Sequence, residues 1–251
     1  NCTKDELPDK EWLLNGVKNG FRVNVECEDD RLERLKFRNE AQDKKGRIAI
    51  FDDFCEEINK GWIMPLSYIP KGKIPLTIIP KDETKWRIIR NCSWPNDESS
   101  LNALIKLRYK KVLYPTFEEL CNLVRRAPNG YMFKVDLRGY YRQIPIAEED
   151  WKLLGYRWCG QYLVDTRLPF GIASCCQIAQ NLSRCVVAAT NYKLPMHLRD
   201  QRHIECYLDD FFGCARTKED CQTLFDALCG TLEEVGLERS QDKCFQPCQK
   251  L

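Results

Sequence analysis

The sequence of 251 residues contains no stretch of 18 or more consecutive apolar residues, and its N-terminus lacks a basic segment followed by an apolar one. The first absence argues against a membrane-spanning helix, and the second argues against a signal peptide. We therefore expect an intracellular protein of the cytoplasm or nucleus that has no membrane partner. Internal repeats and low-complexity linkers are also lacking, and the length fits one large domain or two lobes that share a core.

Cysteine is abundant, but cysteines and histidines with the spacing of a zinc site are lacking. The 15 cysteines include no pair with CxxC spacing, and His197 and His203 are the only two histidines. A structural zinc site is therefore not expected. The cysteines are odd in number and scattered along the whole chain, which indicates reduced thiols that behave as small hydrophobic residues.

Charge of one sign is not in excess either, because the net charge is +2. Its distribution is nevertheless uneven, since six basic residues lie between Lys71 and Arg90 and a second basic cluster spans 106–111. A basic stripe on a nearly neutral protein fits a localised site for a polyanion. A solvated basic surface explains the same pattern, and charge alone favours that simpler interpretation.

Apolar periodicity predicts a mixture of helices and short strands. The segments LTII and WRII are predicted to form a hairpin around the polar turn PKDET, and 51–63 is predicted to form a short helix that ends near Gly61. Thr116 and Glu119 form a capping box at the start of another helix. The segment YMFKVDL (131–137) alternates like a strand that places Asp136 on the face opposite its buried side.

The C-terminal half continues the alternation of strands and helices. Residues 172–192 are predicted to form a helix, CYLDDFFG (206–213) a strand, turn and strand, and the segment from Thr217 to Gly236 another helix before a last strand. From Asp136 onward, this order is that of a ferredoxin-like antiparallel sheet with helices on one face. The bare face of such a sheet is free to carry a site.

Three carboxylates are candidates for that site. Asp209 and Asp210 are adjacent, whereas neighbouring side chains of a regular strand point to opposite faces. We therefore expect this pair at the tip of a tight hairpin with the arms Tyr207–Leu208 and Phe211–Phe212, near Asp136. Such a group suits Mg²⁺, and two ions about 3.5–4 Å apart can clamp the oxygens of a phosphoryl transfer. Each part alone also fits a simpler interpretation, namely an Asp-rich turn and an exposed strand residue.

Five motifs in order resemble those of reverse transcriptases, the RNA-directed DNA polymerases. They are IIPKDETKWRIIRN, FKVDLRGYYRQIPI, LPFGIASCCQIAQ, CYLDDFFG and GLERSQDKC, and the resemblance covers roughly residues 60–251. Each motif alone has low specificity, whereas the five in this order are specific. The segments WKLLGYRWCGQYLVDTRLPFG and NGVKNGFRV are more similar to enzymes of DIRS-type (tyrosine-recombinase) retrotransposons than to retroviral ones, with gypsy-like long-terminal-repeat elements next.

The resemblance implies an α+β fold with the fingers and palm of a right-hand polymerase, in which the palm is the ferredoxin-like antiparallel sheet backed by helices. The implied boundaries are an N-terminal extension and fingers at 1–105, a first palm segment at 106–143, a return to the fingers at 144–173, and a second palm segment at 174–251. Because the chain ends soon after the fifth motif, the thumb and RNase H domain of such enzymes are expected to be absent.

The resemblance also implies roles for individual residues. Asp136, Asp209 and Asp210 match the catalytic, metal-binding aspartates, and the backbone of Leu137 matches a further metal contact. Tyr141 matches an aromatic gate whose bulk excludes a ribose 2′-hydroxyl. The remaining matches concern nucleotide binding: Lys81, Lys85 and Arg87 near the triphosphate, Phe170 and Gly171 in a turn against the incoming nucleotide, and Lys243 as a general acid toward pyrophosphate.

The implied function is that of a retrotransposon reverse transcriptase that transfers dNTPs to a primer 3′-hydroxyl with two Mg²⁺ ions, or with Mn²⁺ in their place. Its partners would be an RNA template, a DNA primer and dNTPs, and the sequence leaves the oligomeric state open. One departure from the family is SCC (174–176), so the helix that supports the templating base is expected to differ. The alternative is a non-catalytic, domesticated module that binds nucleic acid or protein; the bulk of Tyr141 disfavours an RNA polymerase.

Overall fold

The structure is a computed structural model that describes residues 7–26, 44–80, 86–199 and 202–250. The chain forms two compact units, and the polypeptide passes between them more than once. The first unit comprises residues 1–9, 112–143 and 176–251, and the second unit comprises 10–111 and 144–175. No helix in the described part of the chain is long and apolar enough to cross a membrane.

The regular elements alternate along the chain. The helices are α1 (Lys10–Asn19), α2 (Lys44–Asn59), α3 (Phe117–Arg125), α4 (Tyr140–Gln143), α5 (Glu148–Trp151), α6 (Cys175–Lys193), α7 (Met196–Arg199) and α8 (Lys218–Glu234). The strands are β1 (Ile63–Leu66), β2 (Leu76–Pro80), β3 (Trp86–Arg90), β4 (Tyr131–Asp136), β5 (Gly155–Trp158), β6 (Gln161–Asp165), β7 (Ile204–Tyr207), β8 (Asp210–Ala215) and β9 (Phe245–Cys248). Short 3₁₀ turns lie at Leu107–Tyr109 and Gln241–Lys243.

The second unit is built on two small antiparallel sheets. One has the strand order β1-β6-β5, and the other is the β2-β3 hairpin. Apolar side chains from α2 and from both sheets share one core, in which the ring centroids of Phe54 and Tyr156 lie 5.5 Å apart. Full burial of such a side chain contributes about 1.5–3 kcal/mol, so this shared core holds the two sheets together.

A buried ion cluster fixes the polar interior of the second unit. The guanidinium of Arg90 donates two hydrogen bonds to Asp165, at 3.0 and 2.9 Å, and one of 3.1 Å to Glu57. Burial opposes the charge, but the two carboxylates raise the pKa of Arg90 well above its usual value. Removal of one partner would leave an uncompensated buried charge, so the cluster ties the end of β3 to the end of β6.

The first unit contains a four-stranded antiparallel sheet with the order β7-β8-β4-β9. Helix α8 packs against β4, β8 and β9, and the rings of Phe133 and Phe225 meet edge to face at 5.5 Å between centroids. A smaller apolar cluster joins Leu123 and Ala127, at the end of α3, to Cys214 on β8. Along the chain the order from β4 onward in this unit is β4, α4, α6, α7, β7, β8, α8 and β9, so helices precede the β7-β8 hairpin and another follows it.

Several local predictions are confirmed. The Thr116 hydroxyl accepts a hydrogen bond of 3.2 Å from Glu119 N, and the Glu119 carboxylate accepts one of 2.6 Å from Thr116 N, which is the predicted capping box. The predicted hairpin is the β2-β3 pair, although residues 81–84 of its turn lie outside the described residues. The predicted helix at 172–192 is α6, which begins and ends slightly later, and the predicted last strand is β9.

Other elements differ from the sequence-based expectation. The helix predicted at 51–63 is the longer α2; it ends at Asn59, before Gly61 with its left-handed φ of +67°, and Ile63 already belongs to a strand. Strands β1, β5 and β6 were not predicted from the sequence. The register pairs Ile63 with Asp165, about a hundred positions away, so local periodicity carries little information about this sheet.

Candidate active site

The three aspartates that were predicted to share a site lie together in the first unit. Strand β4 ends at Asp136 and β8 begins at Asp210, and these two residues are Cα partners across the antiparallel pair. Asp209 precedes β8, and its backbone carbonyl accepts a hydrogen bond of 3.0 Å from Leu137 N. The ends of the two central strands of the sheet therefore bring all three carboxylates to one edge.

The turn that carries Asp209 differs from the prediction in one respect. Tyr207 and Asp210 are the last Cα partners of β7 and β8, so the two-residue turn consists of Leu208 and Asp209. The expectation that Leu208 lies in an arm and that both aspartates form the tip is wrong. Because Asp209 lies in the turn, it is released from the strict alternation of strand side chains that constrains Asp210.

Side chains of α6 hold this turn in an uncommon conformation. Leu208 has a φ of +53°, which costs a bulky residue about 1–2 kcal/mol. Gln180 accepts a hydrogen bond of 2.7 Å from Leu208 N and donates one of 3.0 Å to Cys206 O. The Ser183 hydroxyl lies 2.6 Å from Leu208 O and 2.8 Å from the hydroxyl of Tyr140. Gln180 and Ser183 are 2% and 0% exposed, so these bonds form away from water and position the turn.

Two lysines approach the carboxylates. Lys134 Nζ lies 2.9 Å from Asp210 Oδ1, and this pairing raises the pKa of Lys134. Burial raises the pKa of the Asp209 carboxyl, and the nearby charges of Asp210 and Asp136 raise it further, whereas Lys243 acts in the opposite direction. In the metal-free protein, the two lysines therefore neutralise only part of the negative charge of the three carboxylates.

Asp136 presents an oxygen that is suited to a cation. Its Oδ1 is buried and accepts no hydrogen bond from a described residue, and Lys243 Nζ lies 3.5 Å away. Within the described ranges, no three His, Cys, Asp or Glu side chains converge in a way that could hold a metal ion. Mg²⁺, however, is usually held by one or two protein carboxylates together with water and substrate phosphates. Asp136 and Asp209 therefore fit a magnesium site that the substrate completes.

Tyr141 lies in the same unit as the carboxylates, on the short helix α4. Its side chain is mostly buried, with 9% of the residue exposed, and its hydroxyl donates a hydrogen bond of 3.2 Å to the Sγ of Cys176. Cys176 belongs to the SCC segment that departs from the family motif. The departure therefore provides the partner that fixes the tyrosine ring, a contact that the sequence did not predict.

The other candidate residues that the structure describes belong to the second unit. The guanidinium of Arg87 lies 5.3 Å from the centroid of the Phe170 ring, which is a cation–π distance. Phe170 O accepts a hydrogen bond of 2.9 Å from Arg90 N. Gly171 has a φ of +125°, and a Cβ there would lie 1.8 Å from Arg90 O, so only glycine fits. Lys81 and Lys85 lie outside the described residues.

The predicted site residues thus belong to two different units of the chain. One set belongs to the first unit: Asp136, Leu137, Tyr141, Asp209, Asp210 and Lys243. The second unit holds Arg87, Phe170 and Gly171. Sequence reasoning missed Gln180, Ser183 and the pairing of Lys134. The available signal was that Gln180 and Ser183 are polar residues three positions apart on a helix with an apolar stripe, which places them on one face.

Comparisons with known proteins agree with this geometry. The sequence profile of the reverse transcriptase (RNA-dependent DNA polymerase) family matches residues 79–250. A search of the curated proteins found no match.

Solved structures of foamy virus protease-reverse transcriptases share the fold. The native prototype foamy virus protein is 19% identical with a TM-score of 0.62, and the alignment covers 84% of this chain and 25% of that one. A foamy viral protease-reverse transcriptase in complex with an RNA/DNA hybrid is 17% identical, with a TM-score of 0.64 and the same coverage of 84% and 25%. A third, in complex with double-stranded DNA, is 16% identical with a TM-score of 0.61, covering 86% of this chain and 35% of that chain. This chain thus spans about a quarter to a third of the length of these proteins. Since the family profile covers most of the sequence, the chain belongs to the reverse transcriptase (RNA-dependent DNA polymerase) family.

Proposed function

We propose that this chain is the fingers and palm region of a retrotransposon reverse transcriptase and transfers dNTPs to a primer 3′-hydroxyl. The observation that carries the proposal is the register of β4 and β8, which sets Asp136 opposite Asp210 beside the Asp209 turn. The strand order β7-β8-β4-β9 with flanking helices supports the interpretation of the first unit as a ferredoxin-like palm. The second unit would then be the fingers, with boundaries close to 105, 143 and 173.

In this proposal Asp136 and Asp209 hold two Mg²⁺ ions, for which Mn²⁺ can substitute, and the Leu137 backbone provides a further contact. When bound, the metal supplies Lewis-acid stabilisation of the phosphoryl oxygens and lowers the pKa of the attacking hydroxyl. The protein contributes position: the hydrogen bond from Leu137 N to Asp209 O ties the turn to the end of β4. Asp210 assists from the adjacent strand position, and Lys243 donates a proton to the leaving pyrophosphate.

Nucleotide recognition in this proposal is assigned to each unit by itself, from the family resemblance. Arg87, which is exposed, would pair with the triphosphate together with Lys81 and Lys85, because a guanidinium fork matches phosphate geometry. Phe170 and Gly171 would form the surface against the incoming nucleotide, and their rigid turn supports that role. Tyr141 would exclude a ribose 2′-hydroxyl, with its ring oriented by Cys176.

The proposed partners are an RNA template and a DNA primer. Related foamy virus proteins have been solved with double-stranded DNA and with an RNA/DNA hybrid, which supports this choice. The motifs quoted above favour an origin in DIRS-type retrotransposons over a gypsy-like or retroviral origin.

Primer extension on an RNA template with dNTPs and Mg²⁺ tests the proposal. Wild type is expected to extend the primer, and Asp209→Asn is expected to lower the rate by at least about a thousandfold, because it removes a carboxylate proposed to hold the metal ion that stabilises charge on the transferring phosphoryl group. Asp226→Asn, an exposed aspartate on α8 of the same unit, is the matched control and should behave as wild type. Equal extension by wild type and Asp209→Asn would contradict the proposal.

A non-catalytic nucleic-acid-binding module is the second candidate. The observation that favours it is that Lys134 and Lys243 approach two of the three carboxylates and neutralise part of their charge without a metal. Such a module would bind RNA or DNA with strong salt dependence and would be indifferent to Mg²⁺ and to Asp136→Asn.

A further inference from the structure

Lys134 has a contact that the proposed reaction does not use. It lies on β4, two residues before Asp136, so the two side chains share a face of the sheet. Its ammonium pairs with Asp210 Oδ1 at 2.9 Å, and both side chains are partly exposed, at 38% and 43%. The pair therefore joins the central strands β4 and β8 next to the residues that are proposed to hold metal.

The three carboxylates of the site are not equivalent. Asp136 is 7% exposed, whereas the side chain of Asp210 is 43% exposed, and the two also differ in the distance from their Oδ1 to the nearest ammonium. Lys243 stands at 3.5 Å from Asp136 Oδ1, beyond hydrogen-bond range, and its side chain is 52% exposed. Asp210, by contrast, already has an ammonium in direct contact. A divalent cation that approaches Asp210 meets an ammonium in direct contact at 2.9 Å, whereas the ammonium that pairs with Asp136 Oδ1 is that of the half-exposed Lys243, 3.5 Å away.

We propose that Lys134 is a positioning residue that holds Asp210 as its own counter-ion and so leaves Asp136 and Asp209 as the metal-binding pair. The inference rests on the proposed function for the identity of that pair. Its consequence is that Lys134 weakens the binding of the first divalent ion, because it reduces the negative potential of the cluster and keeps the third carboxylate from contributing ligands. Loss of the ammonium then strengthens metal binding, which is the opposite of what loss of an ordinary site residue does.

A titration of the whole chain with Mn²⁺ alone tests this inference without substrate. The loss of the electron paramagnetic resonance signal of free Mn²⁺ measures the binding. Lys134→Met is expected to bind the first Mn²⁺ about two- to fivefold more tightly, the range for loss of a partly exposed ion pair. Lys134→Arg keeps the charge and should stay within about twofold of wild type. Lys193→Met is the matched control, since Lys193 pairs with Glu234 in the same unit, and it should leave the affinity unchanged. Equal or weaker Mn²⁺ binding by Lys134→Met would overturn the inference.

The double variant Lys134→Met/Asp210→Asn gives a second and independent measurement. It removes one positive and one negative charge together, so the cluster keeps its net charge. If Asp210 is only the counter-ion of Lys134, the double variant binds Mn²⁺ within about twofold of wild type. The loss of the ammonium strengthens Mn²⁺ binding, the loss of the carboxylate weakens it, and the two effects offset each other. A loss of tenfold or more would mean that Asp210 is itself a ligand and would overturn the inference.

These outcomes separate the inference from the proposed polymerase activity. If primer extension fails while Lys134→Met binds Mn²⁺ more tightly, the proposed function is wrong and the role of Lys134 stands. If extension succeeds and depends on Asp209 while the Lys134 variants bind Mn²⁺ as wild type does, the proposed function stands and the role of Lys134 is wrong.

Discussion

Two hairpins of this protein have turns of the same length, but different interactions stabilise the two turns. In the β5-β6 hairpin, Trp158 and Gln161 are Cα partners and the turn is Cys159–Gly160. In the β7-β8 hairpin, Tyr207 and Asp210 are partners and the turn is Leu208–Asp209. The first turn contains the glycine that tight hairpins favour, and the second contains none.

The β5-β6 turn is determined by its own residues. Cys159 and Gly160 have φ values of +47° and +86°, the left-handed conformation that type I′ turns require at both positions. A Cβ on Gly160 would meet no atom within 4 Å, so no packing against the turn imposes that conformation.

The β7-β8 turn depends on the rest of its unit. Leu208 adopts a φ of +53°; its N–H donates a hydrogen bond to Gln180 Oε1, and its carbonyl accepts one from the Ser183 hydroxyl. Each net hydrogen bond contributes about 0.5–1.5 kcal/mol, which is enough to offset the cost of the left-handed conformation. The comparison indicates that the hairpin with the candidate aspartates is held by helix side chains, whereas the β5-β6 hairpin relies on glycine.

The largest effect is expected when the support of the β7-β8 turn is removed. Gln180→Met keeps the volume of the side chain but leaves Leu208 N and Cys206 O without their buried partner, which should lower the free energy of unfolding by about 2–4 kcal/mol. Primer extension should fall roughly tenfold to a hundredfold, since small displacements of catalytic groups are costly. Urea unfolding and single-nucleotide incorporation measure the two effects.

Gln222 provides the control for that variant. It lies on α8 and donates a hydrogen bond to Asp226 near the surface, so Gln222→Met should change both measurements little. If Gln180→Met unfolds at the same urea concentration as wild type and extends primers equally well, the helix does not hold the turn, and the contrast between the hairpins fails.

A smaller effect is expected at the glycine turn. Gly160→Ala places a side chain at a φ of +86°, so the free energy of unfolding should fall by about 1 kcal/mol. Nucleotide incorporation per folded molecule should equal that of wild type, because a Cβ at Gly160 would meet no atom of the described residues within 4 Å. A loss of incorporation in excess of the loss of folded protein would show that this hairpin is not separate from the chemistry.

The smallest effect is expected in the pH dependence of the metal-free protein. Because the folded protein raises the pKa of Asp209 above its unfolded value, the folded state binds this proton more tightly. The charged carboxylate therefore destabilises the fold at neutral pH, and that cost is relieved as pH falls through the folded-state pKa toward the unfolded value.

Asp209→Asn removes this titration. In the absence of divalent metal, the variant should therefore melt at a higher temperature than wild type near pH 7, and the difference should shrink as the pH is lowered into the ordinary carboxyl range. Thermal melts at several pH values measure it. A difference that stays constant with pH would mean that burial and the neighbouring carboxylates do not raise the pKa of Asp209.

Local sequence patterns predicted much of the first unit. The capping box of Thr116, the alternation of β4 as far as Val135 and the apolar stripe of α8 are short-range signals that the structure confirms, whereas Asp136 is buried although the alternation placed it on the open face. Sheet β1-β6-β5 escaped prediction because its strands are short and β1 pairs with a distant segment. Lys134 and Gln180 were visible as polar residues, but their partners lie on other elements and no spacing rule connects them.

The sequence by itself determined the family, the three candidate aspartates and the order of strands and helices from β7 onward, because motifs and periodicity are local properties of the chain. The tertiary structure decided which aspartate lies in the turn, since that depends on the register between β4, β7 and β8. It also decided that Asp210 pairs with Lys134 and that Leu208 is held in a left-handed conformation. Both features arise from contacts between side chains and backbone that only packing brings together, and such contacts select one turn among those that the sequence allows.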